Sequence, residues 1–126
     1  MGKKITIAVL LILILGGAIW QHIYITGATE KLTEELSLVS ESLKSEDYDK
    51  ALKTAETFAE NWEKEKHLYE TLFEHEEIDM ISERTQRMVE LCYAKDQGEA
   101  LAETAATLYY IRHIHQIDSI KWENIF

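Results

Sequence analysis

Proline is absent from this chain of 126 residues, and its five glycines leave the stretch between Ala28 and Gln97 without one. Both residues interrupt helices and supply the turns of loop-rich folds. A run of 70 residues without either, rich in Glu, Lys, Leu and Ala, is typical of long helices. Few loops remain on which a catalytic pocket can be built.

Cysteine is almost absent as well. Cys92 is the only one, which excludes a disulfide within the chain and a zinc site built on paired cysteines. Because Leu91 and Tyr93 flank it in a helical pattern, we expect a buried apolar side chain rather than a reactive thiol.

Acidic residues are missing from the first 29 positions. All 23 lie from Glu30 onward, against 11 Lys and Arg, so residues 30–126 carry a net charge of about −12 (11 − 23). A charge of this sign argues against binding to nucleic acid, which requires basic patches, and against flat docking on an anionic membrane surface. It is compatible with a basic partner, a cation or simple solubility.

The first segment is apolar instead. Lys3 and Lys4 precede 25 residues without a formal charge, positions 5–29. A helix of about 20 residues crosses the ~30 Å hydrocarbon core of a bilayer, so Ile5–Ile25 is long enough to span it. The two lysines predict a cytoplasmic N-terminus in the cell membrane and an extracytoplasmic remainder.

Amphipathic rings lie at the outer end of this segment, where Trp20, His22 and Tyr24 suit the headgroup layer. A cleaved signal peptide is the alternative, with weak small-residue sites at 16–18 and 26–28. We favour an uncleaved signal anchor, because the apolar run exceeds the roughly 7–15 residues of a signal peptide. The chain then divides into an N-terminal transmembrane anchor, residues 1–28, and an extracytoplasmic helical domain, residues 29–126.

Apolar residues recur at helical spacing after the anchor. The stripes are Leu32, Leu36, Val39 and Leu43; then Phe58, Trp62, Tyr69 and Phe73; and then Ile78, Ile81, Thr85, Met88 and Cys92. Small acidic residues at 45–49 predict a turn and a new helix start, and the polar run 74–77 predicts a bend or break. Residues 47–52 look like the start of a helical-hairpin repeat, of which the sequence shows only this unit.

The clearest turn is Lys95–Gly98, where we expect Gly98 to adopt the left-handed conformation that ends a helix. A last helix is predicted to about Asp118, with a stripe of Leu101, Ala105, Leu108 and Ile111 or Arg112. The tail 120–126 is expected to dock on the bundle, where a buried terminal Phe contributes about 1.5–3 kcal/mol. The predicted fold is all-α: one N-terminal transmembrane helix, then an extracytoplasmic antiparallel bundle of three or four helices.

Polar residues cluster near the middle of the chain, and any site is expected there. On a helix, His75 shares a face with Asp79, and Glu76 with Glu83, and an imidazole with carboxylates suits a divalent cation. The His-Glu-x-x-His template fails because position 79 is Asp. These four residues are therefore only weak metal candidates. The favoured reading is a structural network that joins His75, Glu76 and Asp79 to Arg84, Arg87 or Arg112.

Two further histidines, His113 and His115, point about 200° apart on a helix and cannot chelate one ion together. His115 and Asp118, three apart, are able to pair. The sequence holds no nucleophile–base arrangement with supporting loops, so we expect neither an enzyme nor a bound cofactor.

The chain resembles a bacterial family called domain of unknown function 4363, short membrane-anchored proteins best known from spore-forming clostridia-like bacteria. The resemblance covers nearly the whole length and rests on the Lys-flanked span, the segment 73–79 and the C-terminal Glu-Asn-Ile-Phe. Its signature positions here are Trp62, His75, Glu76, Asp79, Asn124, Ile125 and Phe126. The resemblance implies a location, an architecture and, from multi-pass membrane proteins encoded beside some members, a membrane partner. It implies no catalytic residue.

Two functions remain after these exclusions. The favoured one is an extracytoplasmic interaction or accessory subunit of a membrane partner. The alternative is a sensor of a divalent cation or ligand that uses the cluster of His75, Glu76 and Asp79.

Overall fold

The computed structural model describes residues 1–125, without the side chains of Ser119, Lys121 and Ile125. Four helices and no strand make up this part of the chain. They are α1, Gly2–Lys44; α2, Tyr48–Leu72; α3, His75–Tyr93; and α4, Gln97–Ile125. The all-α prediction is confirmed. The break predicted at 74–77 lies at residues 73–74, between α2 and α3, and residues 75–77 begin α3.

The helices form a four-membered ring in which each packs on its neighbours, with α4 closing onto α1. Two contacts give the direction of that last pair. Gln97 Nε2 donates to the Leu43 carbonyl at 2.8 Å, and His22 Nδ1 lies 2.8 Å from Asp118 Oδ2. Both contacts join residues whose numbers sum to 140, so α1 and α4 are antiparallel over 21 residues (43 − 22 and 118 − 97).

The core lies between the second half of α1 and the three other helices. Each residue of the predicted α1 and α3 stripes is buried, and so are Phe58, Trp62 and Tyr69 of the aromatic stripe, whereas Phe73 is half-buried. Full burial of a side chain such as Phe58 stabilises the fold by about 1.5–3 kcal/mol. Cys92 is buried here too, and burial raises the pKa of its thiol to about 11. The prediction of an apolar filler is confirmed.

Two turns of identical design close the helical hairpins at the end of the bundle farthest from the N-terminus. In each, a residue with a φ of 58° follows the helix, Glu46 after α1 and Lys95 after α3. The next residue, Asp47 or Asp96, donates its N–H to the carbonyl five positions back and accepts the first-turn N–H of the next helix. The repeat start at residues 47–52 therefore has a second copy at residues 96–101. The two share Asp, Ala and Leu at matching positions, so the expectation of a single unit is wrong.

The prediction for Gly98 is wrong. No glycine among the described residues has a positive φ, and Gly98 lies in the first turn of α4. Lys95 takes the left-handed position instead. The side chain of Asp96 caps α4. This helix therefore begins before Gly98, and Gly98 does not end α3.

The predicted stripe of α4 is also wrong, except at Ile111, which is buried. The buried residues are Ala100, Glu103, Thr104, Thr107, Ile111, Ile114 and Asp118, whereas Ala105 and Arg112 are exposed and Leu101 and Leu108 are half-buried. α4 carries apolar residues on more than one side and polar residues on the buried one, so spacing alone did not identify the packed side. The helix continues through Ile125 rather than ending near Asp118. Residues 120–125 of the predicted tail form the last turns of α4, and Phe126 lies outside the described residues.

Candidate functional site

The predicted polar cluster lies on the solvent side of α3. His75, Glu76, Asp79 and Glu83 are all exposed, and the structure brings them to no common partner. Glu76 is in the first turn of α3, where its negative charge complements the helix dipole. Residues 1–125 contain no group of three or more His, Cys, Asp or Glu able to hold a metal ion.

The structural network has other members than those expected. Arg84 and Arg87 of α3 each lie 3.2 Å from a carboxylate oxygen of Glu103 on α4, which is nearly buried. Arg84 also lies over the ring of Tyr110, 5.4 Å from its centroid. Two guanidinium groups on one carboxylate tie α3 to α4, Arg84 through a charge-assisted hydrogen bond and Arg87 as an ion pair. Sequence reasoning missed Glu103, because an acidic residue between Ala102 and Thr104 carries no signal of burial.

A second polar layer lies where α1 enters the bundle. We call it the base, and it consists of three contacts between helices: His22–Asp118, Tyr24–Glu65 and Thr29–Tyr69. The partners are 96, 41 and 40 residues apart, so no local spacing reveals them. Together they join α1 to α4 on one side and to α2 on the other.

The His22–Asp118 pair is the contact of the base that joins α1 to α4. The side chains retain 30% and 13% of their accessible surface. The Trp122 ring packs against the imidazole, with 4.6 Å between centroids. The sequence suggested that Asp118 pairs with His115 on the same helix. Asp118 pairs instead with His22 on α1. The contact fastens the end of α4 to α1.

The Thr29–Tyr69 contact is fully buried. The two hydroxyl oxygens are 2.7 Å apart. Burial raises the pKa of Tyr69 to about 12, the Thr29 hydrogen bond opposes this, and the charges of Glu65 and Asp118 add to it. The phenol therefore stays neutral at physiological pH and serves as a hydrogen-bonding group, not as a base.

α1 passes from the base into the predicted span without interruption. It is one helix of 43 residues, long and apolar enough in its first part to cross a membrane. Residues 1–17 are all exposed, and Ala18 is the first that is partly covered. Residues 2–21 project beyond the base by roughly 30 Å at 1.5 Å per residue, the thickness of a hydrocarbon core. Ile25, predicted at the outer end of the span, is instead in the core of the bundle.

α4 carries a second stripe that faces outward. Its exposed members recur at spacings of three and four: Ala102, Ala105, Tyr109, Arg112 and Gln116. We call this the outer face of α4. It holds no carboxylate and one cation, in a chain with a net charge of −10. Tyr109 retains 66% of its surface and stacks on His113 at 6.1 Å. Spacing of this kind lets a helix pack along a partner helix.

The family signature residues divide between core and surface. Trp62 is buried, and its indole N–H donates to Ser82 Oγ at 2.9 Å. His75, Glu76, Asp79 and Asn124 are exposed. The Ile125 side chain and Phe126 lie outside the described part of the chain.

Comparison with known proteins gives one family. The sequence model of Domain of unknown function (DUF4363) matches residues 19–125, which includes the end of the projecting helix and the bundle. Comparisons with curated proteins and with solved structures give no match.

Proposed function

We propose a function for this chain, which belongs to the DUF4363 family of unknown function, from its structure. It is a single-pass membrane protein whose helical bundle is an interaction or accessory subunit for a membrane partner. The N-terminus is cytoplasmic and the bundle extracytoplasmic, since Lys3 and Lys4 precede the span and all acidic residues follow it.

The continuity of α1 carries this proposal. The same helix supplies the apolar segment and one quarter of the bundle, so no linker separates membrane from domain. A domain tethered by a flexible linker samples many orientations, whereas a continuous helix fixes the height of the bundle above the span and its angle to the span. Such rigidity suits a subunit that must present one surface to a neighbour in the same membrane.

The outer face of α4 is the surface best suited to that neighbour. The exposed side of α2 alternates acidic and basic residues, for example Glu60, Glu63 and Lys64, as is usual for a solvated surface. The outer face of α4 offers alanines and an aromatic ring instead, and interface cores are depleted of charge and enriched in aromatics. We propose that the partner contacts this face through a helix that has a complementary apolar stripe.

Site-specific photocrosslinking in native membranes tests the assignment. A photoreactive phenylalanine analogue at position 109 is compared with the same group at position 63, which is exposed on α2 at a similar height in the bundle. We expect one membrane protein to be captured in stoichiometric amount from position 109 and not from position 63. Equal capture from both positions, or capture from position 63 alone, would remove the outer face of α4 as the docking surface.

Membrane attachment has its own test. Deletion of residues 2–20 removes the projecting helix but keeps His22 and every α1 residue of the core. We expect this variant to move from the membrane fraction to the soluble fraction with its helical content intact. A variant that stays with the membrane through the bundle alone would show that α1 is not the anchor.

A further inference from the structure

The end of α4 reaches farther toward the span than any other part of the bundle. Residue numbers facing each other across α1 and α4 sum to 140, so residues 119–125 lie beside residues 21–15 of α1. Ala18, the first covered residue of α1, is opposite Trp122 in this register. The exposure pattern and the register therefore agree.

The turn between α2 and α3 stops short of this level. Thr29 faces Tyr69, so Phe73, which caps the end of α2, lies at the height of Ile25. From that height to residue 15 of α1 is ten residues, or about 15 Å along the helix axis. The last two turns of α4 therefore extend past the acidic α2–α3 turn toward the span, and among residues 1–125 α1 is the only helix beside them.

Side chains at the base and on the projecting part suit a membrane interface. The Trp20 and Tyr24 rings stack at 5.6 Å on α1, and Trp122 packs on His22. Ile120 retains 56% of its surface in water. Indole and phenol rings at one level are typical of the headgroup layer, where an apolar body meets a polar edge.

We propose that the last two turns of α4, residues 119–125, lie in the outer interfacial layer of the bilayer beside α1. This rests on the proposed anchoring of α1. With the boundary near Ala18, residues 2–18 remain for the hydrocarbon core, about 25 Å of helix and at the short end for a span. The two lysines near the N-terminus reach the opposite headgroups by extending their side chains.

The protein is then held by two helices rather than one. A single span leaves rotation and tilt about its axis free, whereas a second contact on one side of α1 fixes which side of the bundle faces the membrane. The α4 side is drawn to the surface, and the acidic α2–α3 turn is kept away from the anionic headgroups. This orientation also places the Gln116 end of the outer face of α4 nearest the membrane.

Quenching of tryptophan fluorescence tests the proposal in the full-length protein. The chain has three tryptophans. Trp62 is fully buried and packs on Tyr69, with 5.5 Å between ring centroids, so lipid does not reach it and it serves as an unquenched reference. The variants W20F, W122F and W20F/W122F are reconstituted in phosphatidylcholine vesicles with bromine atoms near the glycerol end of one acyl chain. Trp62 stays in every variant, so the core is untouched, and circular dichroism checks the helical content.

W20F retains Trp122 and W122F retains Trp20, each beside the buried Trp62. We expect the brominated lipid to quench the part of the emission that comes from the remaining interfacial tryptophan in each single variant. The emission of the double variant, which comes from Trp62 alone, is expected to be unchanged. Quenching of W122F without quenching of W20F would overturn the proposal, because Trp20 then enters the bilayer and Trp122 does not. The anchor would stand in that case. Loss of quenching in both single variants would refute the anchor as well.

A protein partner is the other possible occupant of this surface, and the same variants identify it. The vesicles contain only lipid and this chain, so a helix that covers Trp122 in cells is absent from them. Unquenched Trp122 in vesicles, together with a crosslink from position 122 to the partner in native membranes, would assign the last turns of α4 to a protein contact.

Discussion

Removing the His22–Asp118 pair is expected to loosen the base of the bundle. The atoms are 2.8 Å apart, and the carboxylate keeps only 13% of its surface. A hydrogen bond to a charged group contributes about 1.5–3 kcal/mol, and loss of the partner leaves the carboxylate partly desolvated. His22 is 30% exposed, so solvent screens part of this, and we expect His22→Ala to lower the free energy of unfolding by about 1–2 kcal/mol.

A double-mutant cycle separates the pair from the loss of each side chain. His22→Ala, Asp118→Asn and the double variant are compared by urea unfolding of the full-length protein in detergent micelles, followed by circular dichroism. His67→Ala is the matched control, since His67 faces Glu70 at 3.4 Å but is 87% exposed, and it is expected to change nothing measurable. Additive losses, or an equal loss for the His67 variant, would refute the claim that the pair fastens α4 to α1.

Three other predictions concern the turns and the core. Lys95→Gly removes the steric cost of a side chain at a positive φ. Gly98→Ala removes a flexible residue from a helix, and the added methyl group contacts no other atom. Each substitution is expected to stabilise the fold by about 0.5–1 kcal/mol in thermal unfolding. A loss of stability from Gly98→Ala would support the left-handed conformation that the sequence predicts for Gly98. Since the folded pKa of Cys92 is raised from 9.0 to about 11, its contribution to stability is complete below pH 9 and lost as the pH rises toward 11. Thermal unfolding across this range measures the loss, and Cys92→Ala, though less stable throughout, is expected to show a weaker dependence. Trp62→Phe deletes a buried hydrogen-bonded indole and is expected to cost about 1–3 kcal/mol in urea unfolding, and an unchanged midpoint would contradict its structural role.

Sequence reasoning succeeded for α1, α2 and α3 because each has one apolar stripe. In α3 the residues from Ile78 to Cys92 recur at spacings of three and four, with charges elsewhere, so only one side can be buried. α4 offers two candidate stripes, and the interior is lined partly by Thr104 and Thr107. Their hydroxyls bond to carbonyls four residues back, and buried threonines of this kind look polar in a sequence.

The candidate site was harder to predict for a related reason. The cluster from His75 to Glu83 is dense in sequence, but density on one helix says nothing about what faces it. Glu103, which the two arginines of α3 contact, comes from another helix and stands alone among small residues. Hydrogen-bond partners across a bundle depend on the register of two helices, and that register follows from the packing of the whole core.

Composition and local spacing by themselves determined that this chain is helical, that its first part is apolar enough to span a membrane, and that the aromatic stripe of α2 is internal. These properties depend on residues within a few turns of each other, which a sequence displays directly. Only the tertiary structure decided which side of α4 is buried, that Asp118 meets His22, and that the end of α4 runs beside the projecting helix. Those contacts join positions far apart in the chain, because antiparallel packing brings the last helix back to the first.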